Sequence, residues 1–266
     1  MGAEAGQFPG VVALVFTAVW IDLKRNIRDP EIPLFLIGNP ILIYVLMGAT
    51  ADWANIDMAN GNYDMAIIAS MAAYGAASAT VTVASTAVEE RRQGWGRQIS
   101  LTPMGLRSYF ISKMATAMVL ALLPVVAVYL VGIFGSATAT FGAWVLSFLV
   151  TFLGSIVFAA FGLGVALAGK SAAAASLAPS MITLFGFFSN MFFPLSGTLL
   201  AVAKFTPMYG YGVLVRYPIT EGQQLYLKTE GTYQESLGWA LANFAIWTVV
   251  MVAFAAWALK RSRERV

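Results

Sequence analysis

MATAMVLALLPVVAVYLVGIF, from Met114 to Phe134, runs without one charged side chain. A bilayer core about 30 Å thick is spanned by about 20 residues of α-helix, so this stretch predicts a transmembrane helix. Four more charge-free runs share the pattern: Ile32 to Thr50, Met65 to Val88, Phe141 to Ala168 and Leu237 to Leu259. From Ser171 to Tyr217 the only charges are Lys204 and Arg216, over a length too great for one span. Pro194, Gly197, Pro207, Gly210 and Gly212 must break it. A fifth span over 171–193 is expected there, followed by two short helical pieces. The expected fold is an all-α polytopic membrane protein, one transmembrane domain over 1–266, with six spans at 32–50, 65–88, 109–134, 141–168, 171–193 and 237–259.

Composition agrees with that reading. Of 266 residues 59% are hydrophobic and 11% charged, against the roughly 25% charged of soluble domains. A net charge of +3 would point a soluble protein toward nucleic acid. Here the cations sit between spans, and no nucleic-acid partner is expected. The chain has no cysteine and no histidine, which removes disulfides, thiolate nucleophiles, histidine bases and the usual zinc or haem ligands.

Charge placement sets the expected orientation. Of the 16 lysines and arginines, all but Lys204, Arg216 and Lys228 fall on one side of a six-span arrangement, whereas the first loop on the other side holds Asp52, Asp57 and Asp64. The positive-inside rule makes the cation-rich side cytoplasmic, with both termini there. Segment 194–217 is then expected as a re-entrant or interfacial hairpin on the outer face, packed against protein. A plain outer loop is the alternative. Val11 to Leu23 is short for a span, and Glu4 with the absence of a basic residue before it argues against a signal peptide. An interfacial helix over 10–29 is expected, with Trp20 at headgroup level and Lys24, Arg25 and Arg28 toward water. A seventh span is the competing reading.

The polar segment between the second and third spans, 89–105, reads EERRQGWGRQISLTPMG. Its mixed charges and Pro103 suit a short cytoplasmic helix that docks on a soluble partner, or else a topological anchor. In detail it resembles the coupling region of type 2 ABC exporter permeases: Glu90, Arg91, Gly94, Gln98, Thr102 and Pro103 fall in register. Arg28-Asp29-Pro30, Asn39-Pro40, Phe192-Phe193-Pro194-Leu195-Ser196 and Thr206-Pro207 match further motifs of that family, in order along the chain. Departures occur at Arg92, Trp95 and Arg97, where the family often has acid, threonine and acid, and no proline closely follows Ser196.

What the resemblance implies is a half-transporter in a bacterial plasma (inner) membrane. Two permease subunits, identical or homologous, face each other above two copies of a soluble ABC ATPase. ATP and magnesium would belong to that ATPase, this chain binding no cofactor or metal. The coupling contact would involve Glu89, Glu90, Arg91, Arg92, Gly94, Arg97, Thr102 and Pro103. The hairpin would help close an outer gate at Phe193, Pro194 and Pro207. Daunorubicin-type drug exporters are the nearest sub-type, and lipid-linked glycan or polysaccharide exporters the runner-up.

Two further observations bear on energy supply. Gly164-Val-Ala-Leu-Ala-Gly-Lys170-Ser171 fits the phosphate-loop pattern by letter, but it straddles two spans rather than joining a strand to a soluble helix, and is read as coincidence. The charge-free runs hold no Asp, Glu, Lys or Arg, whereas ion-driven carriers keep such groups for ion binding. An ion-coupled carrier and an intramembrane enzyme are disfavoured; the rivals of a different class are an ion-coupled carrier and a passive channel subunit. Transport driven by the chain alone is therefore not expected. For the substrate path, Phe35, Met71, Tyr74, Ser78, Met181, Phe185, Phe188 and Asn190 offer a flexible, uncharged wall suited to hydrophobic or amphiphilic compounds. Gly75, Ala79, Gly154, Gly162 and Gly164 are expected as helix-packing contacts.

Overall fold

A computed structural model describes residues 10–47, 52–90, 105–169, 172–226 and 231–263. It is mostly helical. In chain order the helices are α1 (Val11–Arg28), α2 (Glu31–Met47), α3 (Tyr63–Glu90), α4 (Gly105–Phe134), α5 (Phe141–Gly154), α6 (Ile156–Ala168), α7 (Ala172–Phe187), α8 (Gly197–Ala203), α9 (Tyr209–Thr220) and α10 (Leu237–Arg263). Two short antiparallel hairpins, absent from an all-α expectation, join them: β1 (Asp57–Met58) with β2 (Gly61–Asn62), and β3 (Gln223–Leu225) with β4 (Thr232–Gln234).

Helix α3 is the axis of the bundle and packs on α2, α4, α5, α6, α7 and α9. Its composition explains why. Ala66, Ala69, Ala72, Ala73, Ala76, Ala77 and Ala79 are fully buried, and such small side chains let several helices approach one another closely where lipid offers no hydrophobic drive. Glycines on α3 and on its neighbours do the same. A Cβ on Gly162 would stand 2.6 Å from the Val81 carbonyl oxygen, and one on Gly75 would stand 2.7 Å from Pro124 Cβ. Helix α10 leaves Ile246, Val249, Val250, Val252 and Trp257 exposed, an apolar surface suited to hydrocarbon.

Local breaks follow from the sequence. Asp29 is extended (φ −79°, ψ 107°) because the following Pro30 disfavours helical backbone there, and its Oδ1 accepts from the Glu31 N–H at 3.2 Å. Arg28-Asp29-Pro30 is thus an elbow that bends α1 against α2 by 70°. Between α5 and α6 the chain breaks at Ser155, whose carbonyl accepts from Thr80 Oγ1 at 3.0 Å, while the Tyr211 hydroxyl donates to the Thr151 carbonyl. Hydroxyls from neighbouring helices therefore bond carbonyls at the break, one recognised way to kink a helix.

Span length is where expectation and structure part. Among the described residues, Tyr63–Thr86, Ser108–Phe134, Phe141–Ala168 and Leu237–Arg261 are long and apolar enough to cross a bilayer, and the bent α1–α2 pair makes up to five. The span expected over 171–193 is helical only to Phe187. The reason lies at Asn190, in the left-handed region (φ 59°), whose Oδ1 accepts from the Leu195 N–H at 2.6 Å and whose carbonyl accepts from Arg216 Nη1 at 2.9 Å. Those bonds turn the chain and end this helix after 16 residues.

Candidate functional site

Where α3 ends and α4 begins, flanking residues 91–104, four charged side chains from three helices meet. Lys113 on α4 is buried and lies 2.6 Å from Asp22 of α1 and 2.7 Å from Glu90 of α3. Arg25 of α1 also pairs with Glu90, and lies 3.6 Å from Asp22. The Tyr109 hydroxyl donates to Glu90 at 2.6 Å. Two acids and two bases balance, so the cluster closes on itself. Burial would raise the Glu90 pKa, but donors from Lys113, Tyr109 and Arg25 outweigh it and hold the carboxyl below its ordinary 4.5. For Arg25 burial acts to lower the pKa, and Glu90 more than reverses this, so the net direction is upward. The arrangement clamps α1 to the base of the α3–α4 pair.

The expected coupling residues divide here. Glu90 is the hub, and Glu89 precedes it at the end of α3. Arg91, Arg92, Gly94, Arg97, Thr102 and Pro103 lie outside the described residues. On α1, Arg25 joins the cluster, while Trp20, Lys24 and Arg28 are exposed. Asp22 and Lys113 were not singled out from sequence. The usable signal was spacing: Asp22 and Arg25 stand three apart, on one helix face.

Between α2, α3 and α7 lies a cavity of about 170 Å³ lined by Phe35, Asn39, Tyr74, Ser78, Thr82 and Thr183, among others. A polar knot crosses it. Asn39 Nδ2 donates to the Tyr74 hydroxyl at 2.8 Å, and that hydroxyl is 2.9 Å from Thr183 Oγ1. No Asp, Glu, Lys or Arg is among the described residues that line the cavity, so it can hold apolar groups and offer hydroxyls to a polar one. Of the expected path residues, Phe35, Tyr74 and Ser78 are brought together. Met71 is fully buried in the core, Met181 packs against it half-buried, and Phe185 contacts the Phe161 ring at 5.7 Å. Phe188 is exposed, and Asn190 pins the turn after α7. Asn39, Thr82 and Thr183 were missed. Asn39 precedes Pro40 inside α2, a polar residue in an apolar run and the available clue.

At the opposite end, Phe193 is half-buried and Pro194 and Pro207 are buried. They belong to a hairpin held by polar contacts: Lys204 pairs with Glu235 at 2.8 Å, and the Tyr209 hydroxyl donates to Glu235 at 2.6 Å. Asp64, expected in an acidic outer loop, is buried and accepts from Tyr44 at 3.0 Å and Ser136 at 2.7 Å. The phosphate-loop lookalike is helical through Ala168. Its Gly164 is a packing contact against Phe254, and Lys170 and Ser171 lie outside the described residues.

Several apolar helices around a central one, four of them long enough to cross a bilayer, mark a multi-pass membrane protein. The profile of the family described as ABC-2 family transporter protein matches residues 34–258, and the chain belongs to that family. It is a permease subunit, in a family whose ATPase is a separate subunit. No curated protein matches the sequence.

Proposed function

We propose that this chain is the membrane half of an ABC exporter that moves a hydrophobic or amphiphilic compound, drug-like or lipid-like, out of a bacterial cytoplasm. It crosses the plasma membrane six times with both termini inside, the hairpin at 194–217 dipping in from the outer face. Two such subunits face each other above two ATPase subunits. On ATP binding, the ATPases close and push on segment 89–105. The observation that carries this reading is the clamp of Asp22, Arg25, Glu90 and Lys113, because it fastens α1, α3 and α4 beside the segment that would receive the push.

Force applied at 89–105 then cannot move α3 without moving α4 and α1. Helix α3 forms one wall of the cavity at Tyr74, Ser78 and Thr82, so its displacement changes the cavity that faces α2 and α7. Uncharged walls permit an apolar body to pass, and the Asn39–Tyr74–Thr183 knot offers a polar group somewhere to bond. The test is co-expression with candidate ATPase subunits, affinity capture of the tagged permease in detergent, and transport in liposomes. ATP-dependent accumulation of a fluorescent amphiphile in inside-out vesicles supports the reading. Transport by the purified chain alone under a pH gradient, without ATP, contradicts it.

A further inference from the structure

Arg216 on α9 is a large, fully buried side chain, 1% exposed, and among the described residues no carboxylate pairs with it. Its Nη1 is engaged, donating to Ser70 Oγ and to the Asn190 carbonyl, each at 2.9 Å. Nε and Nη2 have no acceptor among the described residues. Those two nitrogens border the same edge of the guanidinium plane, the fork that takes a carboxylate or phosphate side-on. With Nη1 anchored on α3 and on the turn after α7, the fork is held in place before anything binds. An isolated buried cation is strongly unfavourable without a hydrogen-bonded counter-charge.

The other described cation at this end, Lys204, already has Glu235. Ser70, which anchors Nη1, also lines a cavity of about 10 Å³ with Tyr63, Met191, Phe193 and Pro194. That is room for about one water, so an oxyanion enters only if the hairpin shifts. Phe193 and Pro194 are two of the residues assigned above to the outer gate. We propose that Arg216 is the recognition group for an oxyanion, a carboxylate or phosphate on an otherwise apolar compound, held by Nε and Nη2 once the hairpin opens. This deepens the export reading, on which it rests, by giving the amphiphile an anionic head.

The experiment uses the full chain in phosphatidylcholine nanodiscs, with dodecyl phosphate and dodecyltrimethylammonium as probes, titrated by calorimetry. Wild type, Arg216→Met and Arg216→Lys are compared, with thermal unfolding as the folding control. Dodecyl phosphate is expected to bind wild type saturably, at least tenfold more weakly to Arg216→Met, and in between to Arg216→Lys, which keeps the charge and loses the fork. Dodecyltrimethylammonium binding should not change. Competition by inorganic phosphate assigns the site to a free anion, and competition by phosphatidylglycerol assigns it to a lipid headgroup; either result upholds an oxyanion site. Equal binding of dodecyl phosphate to wild type and a folded Arg216→Met overturns the proposal. Should the methionine variant fail to fold, equal binding to wild type and Arg216→Lys overturns it instead. No ATPase takes part, so failure here leaves the export reading standing, and failure of ATP-driven transport leaves this binding result standing.

Discussion

Removing the charge on Glu90 should loosen α1 from the bundle by an amount that the geometry bounds. Glu90 accepts from Lys113, Arg25 and Tyr109, and bonds to charged groups contribute about 1.5–3 kcal/mol each. In Glu90→Gln, however, Lys113 keeps Asp22 at 2.6 Å, and Arg25 is half-exposed and can turn to water. The expected loss is about 2 kcal/mol rather than the sum of three bonds. Lys113→Met should be worse, about 3 kcal/mol or more, because it leaves two carboxylates facing one arginine at a largely buried site. The double variant leaves Asp22 with Arg25, a balanced pair, so its loss should fall short of the sum by about 1–2 kcal/mol. Unfolding of all four proteins by sodium dodecyl sulfate titration in mixed micelles measures this cycle. Additivity within about 0.5 kcal/mol would refute the idea of one coupled cluster. In a complex with its ATPase, both single variants should hydrolyse ATP with reduced transport per turnover.

Gly162→Ala should destabilise by about 1–3 kcal/mol, since the new Cβ meets Val81 backbone at 2.6 and 2.9 Å and neither helix can yield locally; the same unfolding assay reads it. Asn190→Ala should be less stable than Asn190→Gly by about 1 kcal/mol, both having lost the Leu195 acceptor while only alanine resists a left-handed backbone. Tyr74→Phe leaves Asn39 and Thr183 without their shared hydroxyl, and should alter the order of transport rates among amphiphiles of differing polarity while leaving ATP hydrolysis intact. The Glu90 carboxyl is held below 4.5 when folded, so its stabilisation is complete above that value and fades as pH falls through the depressed one. Thermal midpoints should reflect this as an acid-side decline that is smaller in Glu90→Gln.

The long apolar elements were legible because hydrocarbon imposes one rule on backbone and side chain alike: bond internally and carry no charge. The elbow at Asp29-Pro30 was legible as a motif, and its mechanism is local, a residue before proline refusing helical angles. Gly162 and Gly75 were legible as packing positions because small side chains in apolar helices have few other uses. The clamp was only half visible, since Arg25 and Glu90 were each named for separate roles and nothing in a linear string pairs residues 65 apart. Asp64 and Arg216 read as outer-loop charges. Their burial depends on Tyr44, Ser136, Ser70 and Asn190, which the fold brings in from distant helices and turns. Asn190 read as a polar lining residue, but a left-handed turn uses the same amide for backbone bonding, and composition cannot separate those two uses.

The claim on which the rest depends is that force reaches the bundle from the cytoplasm through residues 89–105. The chain has no cysteine, so a single cysteine at Gln93 can be probed in intact cells with a membrane-impermeant maleimide, with permeabilised cells as the reference. Labelling only after permeabilisation is the expected result. Full labelling in intact cells would put that segment outside, out of reach of any cytoplasmic ATPase, and contradict the claim.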